Sequence, residues 1–159
     1  MGSFHVERII SGGQTGVDRA ALDVALELNI PCAGWCPRGR FAEDGIIPNR
    51  YPLSGTPTSD YSERTIWNVR DSDATLIITW GPPTGGTAFT HACALNLEKP
   101  HRVVDLLEAP NPASVTDWIV EGQIRVLNIA GPREGKPAGI YTSAKSFLME
   151  CFAHLMTAS

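Results

Sequence analysis

Residues 9–19 read Ile-Ile-Ser-Gly-Gly-Gln-Thr-Gly-Val-Asp-Arg, and the interpretation of the whole chain starts from this stretch. An apolar run ends at two glycines, and apolar residues recur at helical spacing after Gly16. This pattern predicts a strand, a glycine turn and a helix, which together place backbone N–H groups around an anion. Gln14 and Thr15 add polar donors to the turn. A tight turn without a ligand uses the same glycines, so both interpretations stay open at this point.

The composition is that of a folded protein. The 159 residues suit one domain, and 43% of them are hydrophobic. A net charge of −4 argues against a general nucleic-acid or membrane-surface binder, and no apolar run approaches the ~20 residues of a membrane helix. The spacing of Cys32, Cys36, Cys93 and Cys151 matches neither a disulfide framework nor a zinc site. We therefore expect reduced thiols in a cytoplasmic protein with a single domain, residues 1–159.

Strand and helix patterns alternate along the chain. Strands are predicted at 6–10, 32–35, 73–80, 102–106 and 124–129, and helices at about 17–29, 61–71, 86–97, 112–121 and 140–155. Such alternation predicts an α/β, Rossmann-like, doubly wound domain with a five-stranded parallel sheet and helices on both faces. Counting these strands along the chain, we expect the order 2-1-3-4-5. Residues 36–60 have no periodicity but contain apolar anchors, which indicates a long ordered loop.

A second glycine turn, Thr84-Gly85-Gly86-Thr87, precedes the third predicted helix. Ligands of open α/β sheets bind beyond the carboxyl ends of the strands. In the expected order both glycine turns face one crevice, so two helix N-termini supply donors to an oxyanion. Arg38, Arg40 and Arg50 on the long loop can close over a charged ligand, and so can Arg133, which follows the fifth strand at the same sheet edge. A solvated surface role fits each arginine taken singly.

Several common chemistries are disfavoured. A nicotinamide dinucleotide site needs an acidic residue after the second strand, where this chain has Arg38. No Gly-Lys-Ser/Thr follows either glycine turn, and no Gly-x-Ser-x-Gly elbow is present. The histidines do not form pairs at metal-ligand spacing, so we expect no metal bound by the protein itself.

Long stretches resemble one known family. They are GGQTGVDRA at 12–20, GWCPRGR at 34–40, AEDG at 42–45, IPNRYPL at 47–53, ERT at 63–65, WNVRD at 67–71, TGGT at 84–87 and NIAGPRE at 128–134. These stretches cover nearly the whole chain in order and resemble the molybdenum (molybdenum-cofactor) carrier proteins. The resemblance implies a Rossmann-like homotetramer that binds the molybdenum cofactor as cargo, protects it and passes it to recipient molybdoenzymes.

The resemblance and the two turns together define an expected cofactor-binding set. It consists of Gly12, Gly13, Gln14, Thr15, Gly16, Trp35, Arg38, Arg40, Thr84, Gly85, Gly86, Thr87 and Arg133. The cofactor phosphate would lie on a glycine-turn helix, and the pterin would stack on Trp35 or Tyr51. If the first turn holds an anion, Gly13→Val should abolish binding and leave the protein folded.

Two alternatives remain. The family also resembles the Lonely-guy phosphoribohydrolases and related nucleotide-ligand sensors, so the chain could bind a nucleotide-derived ligand. In the hydrolases a catalytic glutamate lies three positions after the threonine that matches Thr87, and here that position is Thr90. We therefore expect a non-enzymatic protein. The competing enzyme hypothesis assigns chemistry on a phosphorylated small molecule to Asp18, Glu43 or Asp44.

Overall fold

The computed structural model describes residues 6–135 and 138–157. Its helices are α1 (Val17–Glu27), α2 (Tyr61–Arg70), α3 (Gly85–Asn96), α4 (Pro112–Glu121) and α5 (Ile140–Thr157). Its strands are β1 (Arg8–Ile10), β2 (Cys32–Ala33), β3 (Trp35–Cys36), β4 (Phe41–Ala42), β5 (Gly45–Ile46), β6 (Ser54–Gly55), β7 (Ala74–Thr79), β8 (His101–Asp105) and β9 (Val126–Ala130). Within the described residues no helix combines the length and apolarity needed to cross a bilayer.

The central sheet has five parallel strands in the order β2-β1-β9-β7-β8. The predicted fold class, an α/β Rossmann-like parallel sheet with helices, is confirmed. The predicted order is wrong, because the last strand lies between β1 and β7 rather than at an edge. Leu127 pairs with Ile9 on one side and with Ala74 on the other. The pattern of β9 marks it as a strand, but which strands it pairs with depends on contacts between distant parts of the chain.

Helices cover both faces of the sheet. Helix α5 packs against both α1 and α4, and α2 packs against α3. The apolar stripe of α5 is buried in the core, since Ala144, Leu148 and Phe152 are each at most 1% exposed. Packing within the chain therefore accounts for this stripe.

The segment 36–60 contains short strands in addition to loop. β4 and β5 form a small antiparallel hairpin, and β6 pairs with β3 in a separate two-stranded sheet. Pairs of two residues are too short to leave a periodic pattern in the sequence. The segment is anchored by Ile47, Tyr51 and Leu53, which are buried against Leu22 of α1. The predicted second strand splits at Gly34, where a Cβ would lie 1.9 Å from the carbonyl oxygen of Ser11.

Candidate functional site

A cavity of about 630 Å³ lies near the carboxyl ends of β1, β9 and β7. It is lined by Gly12, Gln14 and Asp18, by Tyr61, Ser62, Arg64, Thr65 and Asn68 of α2, by Thr84–Thr87, Phe89 and Thr90, and by Asn128 and 130–133. Its volume falls in the range of about 300–1,000 Å³ that is typical of small-molecule sites. Because β9 separates β1 from β7, the segment after β9 lies between the two glycine turns. The cavity therefore combines three loops, which are the two glycine turns and the segment that contains Arg133.

The N-terminus of α3 is open towards this cavity. Thr84 is its N-cap residue and makes no hydrogen bond from its side chain to the helix. The first N–H groups of an α-helix have no partner within the helix, so those of Gly85 and Gly86 are available to an anion. A Cβ built on either glycine meets nothing within 4 Å. Gly85 has a φ of +52°, whereas Gly86 has no positive φ, so neither packing nor backbone conformation requires glycine at position 86.

The N-terminus of α1 is covered by the chain itself. The N–H of Val17 donates to the carbonyl oxygen of Pro132 at 3.1 Å, and a Cβ on Gly16 would lie 2.3 Å from the same oxygen. The hydroxyl of Thr15 accepts a hydrogen bond from the N–H of Glu134. The first glycine turn thus holds the segment after β9 in place. Of the two helix N-termini expected to bind an anion, the one in α3 is the accessible one.

Arg64 supplies a positive charge to the cavity. Its Nη1 donates to the carbonyl oxygen of Gly12 at 2.9 Å and lies 3.6 Å from Oδ2 of Asp18. The guanidinium also stacks over the ring of Tyr61, 5.3 Å from its centroid. Desolvation raises the pKa of the buried Asp18 carboxyl to about 6, and the charge of Arg64 and the N–H of Gln14 oppose this shift only in part. The cavity wall thus carries an arginine and a carboxyl group with a pKa of about 6.

The predicted binding set divides into two groups. Gly12, Gln14, Thr84, Gly85, Gly86, Thr87 and Arg133 line the cavity, whereas Gly13, Thr15, Gly16, Trp35, Arg38 and Arg40 are not among its lining residues. Arg133 is exposed and pairs with Glu43 through Nε at 3.1 Å. Arg40 donates four hydrogen bonds to the carbonyl oxygens of Ile47, Pro48, Tyr51 and Leu53, so it shapes the long loop.

The aromatic residues proposed for stacking have other contacts. The indole N–H of Trp35 donates to Asp71 at 2.8 Å, and its ring packs edge-on against Trp67. Tyr51 is 1% exposed and donates to Asp23 at 2.5 Å. The aromatic side chains that line the cavity are Tyr61 and Phe89, which are 46% and 38% exposed.

The residues of α2 were missed as site residues. Tyr61, Thr65 and Asn68 recur at the spacing of one helix face, and Arg64 lies beside them. A polar helix face normally indicates exposure to solvent, so only the position of α2 in the fold identifies its polar face as a cavity wall.

The three candidate acids lie in different surroundings. Asp18 lines the cavity, whereas Asp44 is exposed and bonds to Arg19, whose hydrogen bonds hold the pKa of the Asp44 carboxyl below its usual value. Glu43 is also exposed. Within residues 6–135 and 138–157, no group of three or more His, Cys, Asp or Glu could hold a metal ion.

The fold and cavity define a Rossmann-like protein with a polar cavity at the carboxyl ends of its strands, and the comparisons identify its family. The profile of the circularly permutated YpsA SLOG family matches residues 9–152, so the chain belongs to that family. Among solved structures, a crystal structure of a "putative molybdenum carrier protein" from Syntrophus aciditrophicus SB is similar, with a TM-score of 0.87 and 47% identity. The match covers 92% of this chain and 94% of that one. The comparison with curated proteins finds no match. The family resemblance read from the sequence is confirmed.

Proposed function

We propose that this protein binds the molybdenum cofactor as cargo, with the cofactor phosphate at the N-terminus of α3. The observation that carries the proposal is the open first turn of α3, where Gly86 leaves room that neither packing nor a positive φ requires. Backbone N–H groups and the helix dipole favour a phosphate there. Arg64, which also lines this cavity, supplies a full positive charge to it. The similar crystal structure of a "putative molybdenum carrier protein" supports a cargo that contains molybdenum, and the sequence resemblance is the reason for proposing the cofactor as that cargo.

The cavity also suits the organic part of this cofactor. Its volume of about 630 Å³ has room for more than a lone tetrahedral anion. Tyr61 and Phe89 offer aromatic surface for a pterin ring in place of Trp35 and Tyr51. The metal would arrive bound to its pterin, so the protein's task is to hold and shield the cofactor rather than to ligate molybdenum with its own side chains.

The proposal extends to a storage role. The loaded protein would release the cofactor to recipient molybdoenzymes in the cytoplasm and would act as a homotetramer. Exposed apolar side chains at the C-terminal end of α3 and on the edge strand β8 support self-association, and they include Leu95, the C-cap residue Leu97 and Val103. Light scattering of the purified protein measures the oligomeric state, and a monomer at micromolar concentration would contradict this part of the proposal.

The test is retention of cofactor by protein purified without oxygen from cells that make the cofactor. We expect molybdenum and pterin in near-equal amounts with the chain, measured by elemental analysis and by fluorescence of the oxidised pterin. Arg64→Gln should lose both, because the guanidinium is removed from the cavity. Arg70→Gln is the matched control, since Arg70 lies on the same helix, is exposed and pairs with Asp71. Absence of both molybdenum and pterin from the wild type would overturn the proposal.

A nucleotide-derived ligand is the second candidate, because its phosphate would use the same donors. Thermal stability measured with a panel of nucleotides separates the two candidates. A true ligand at 100 times its Kd should add roughly 2.7 kcal/mol of apparent stability. Hydrolysis of a nucleoside monophosphate that is lost in Asp18→Asn would instead favour the enzyme hypothesis, since Asp18 is the candidate acid that lines the cavity.

A further inference from the structure

Asp18 is a buried carboxylate on the wall of the cavity. It is 5% exposed, and its Oδ2 accepts a hydrogen bond from the N–H of Gln14 at 3.2 Å. The same oxygen lies 3.6 Å from Nη1 of Arg64, which is too long for a direct hydrogen bond. The carboxylate therefore balances the charge of Arg64 without accepting a hydrogen bond from its guanidinium.

Arg64 has unused capacity to bind an anion. A guanidinium has five N–H donors, and one nitrogen of Arg64 donates to the carbonyl oxygen of Gly12. Its Nε is buried and lacks a hydrogen-bond partner within the described part of the chain. A buried donor without a partner costs about 1–3 kcal/mol, so an acceptor that reached it would be held strongly.

We propose that an anion entering the cavity replaces Asp18 as the counter-ion of Arg64, and that Asp18 takes up one proton from solvent as the anion binds. This inference rests on the proposed function, since it concerns the same cavity. Two negative groups beside one guanidinium repel each other, so binding of the anion favours the neutral carboxyl. Once protonated, the carboxyl becomes a donor that can bond to an oxygen of the anion. The ligand class is therefore an oxyanion with several acceptor oxygens, such as a phosphate monoester.

The groups around Asp18 make it the titrating member of this cluster. Arg64 faces it from α2, and Arg19 follows it on α1 and pairs with Asp44. Backbone N–H groups approach from Gln14 and from Gly131, after β9. Arginine stays charged across the physiological range and backbone amides do not titrate. The pKa of Asp18 is raised to about 6 by burial, so the free protein holds a carboxylate at pH 7 that the bound anion would convert to an acid.

Inorganic sulfate is the probe, because its own charge does not change between pH 6 and 8. Calorimetric titration of the wild type should give a Kd that rises by up to about tenfold per pH unit above pH 6. Asp18→Asn should bind sulfate with a Kd that is independent of pH, since an amide cannot ionise. Asp117→Asn, an exposed acid on α4, is the charge-matched control and should follow the wild type.

A second measurement uses only the wild-type protein. Titrations at pH 7 in two buffers of different ionisation enthalpy should report uptake of about one proton per sulfate. Proton uptake near zero would overturn the inference, and so would an equal pH dependence of Kd in the wild type and Asp18→Asn. Neither result would contradict the anion site itself. Absence of sulfate binding at every pH would overturn both the inference and the anion site. Proton-linked sulfate binding without retention of cofactor would overturn only the proposed cargo.

Discussion

Gly86→Ala should stabilise the protein and weaken its binding of an anionic ligand. Gly86 lies in the first turn of α3, has no positive φ, and has open space where a Cβ would go. Replacing such a glycine by alanine restricts the unfolded chain and typically adds about 0.4–1 kcal/mol of stability. For a chain of this length that corresponds to a rise in Tm of roughly 1–4 °C.

The effect on binding has the opposite sign. The new methyl group would project into the cavity beside the N–H groups that the phosphate approaches. A ligand forced away from them loses at least one charge-assisted hydrogen bond, worth about 1.5–3 kcal/mol. We therefore expect Kd to rise by roughly tenfold to a hundredfold.

The assay compares thermal melts and calorimetric titrations with a phosphorylated pterin or sulfate. Gly55→Ala is the matched control, because Gly55 also lacks a positive φ, its Cβ would meet atoms only at 3.6–4.0 Å, and it lies outside the cavity. Gly85→Ala should lower the Tm, since position 85 has a φ of +52°. Unchanged affinity in a stabilised Gly86→Ala would refute the assignment of the α3 N-terminus to the ligand.

Three further predictions concern stability. The sequence alone predicted that Gly13→Val affects only binding. The structure predicts that it also destabilises the protein, because a Cβ at a φ of +79° would lie 2.4 Å from Leu53 Cδ1. A denaturant melt like that of the wild type would contradict this. Arg40→Ala should lower the free energy of unfolding by about 2–4 kcal/mol, since carbonyl oxygens of the long loop lose a charged donor. A loss below about 0.5 kcal/mol would show that these hydrogen bonds contribute little to stability. Asp18 binds its proton more tightly when folded, so its stabilising contribution is fully present below its unfolded pKa of 3.8 and is lost as pH rises through about 6. Relative to Asp18→Asn, the wild type should therefore lose about 2.4 kcal/mol of stability between pH 4 and 7. Parallel pH profiles of the two proteins would show that the pKa of Asp18 is not raised in the folded state.

Local patterns predicted the regular elements within a few residues. The apolar run before Gly12, the helical spacing after Gly16 and the cap Asn111-Pro112 each define an element through neighbouring residues, and each element is present. The second glycine turn was likewise recognised as the start of a helix. These features are visible in sequence because backbone conformation and capping depend on residues a few positions apart.

Which strands are neighbours in the sheet, and which residues line the cavity, depend on the tertiary structure. The pairing of β9 with β1 and β7 joins residues more than 50 positions apart, and it places the segment after β9 over the N-terminus of α1. For the same reason Arg64, on a helix with an ordinary polar face, becomes a cavity residue, while Arg40 turns inward to the loop carbonyls. The glycine turns by themselves therefore predicted an anion site, and packing between distant segments decided which of their N–H groups are open to a ligand.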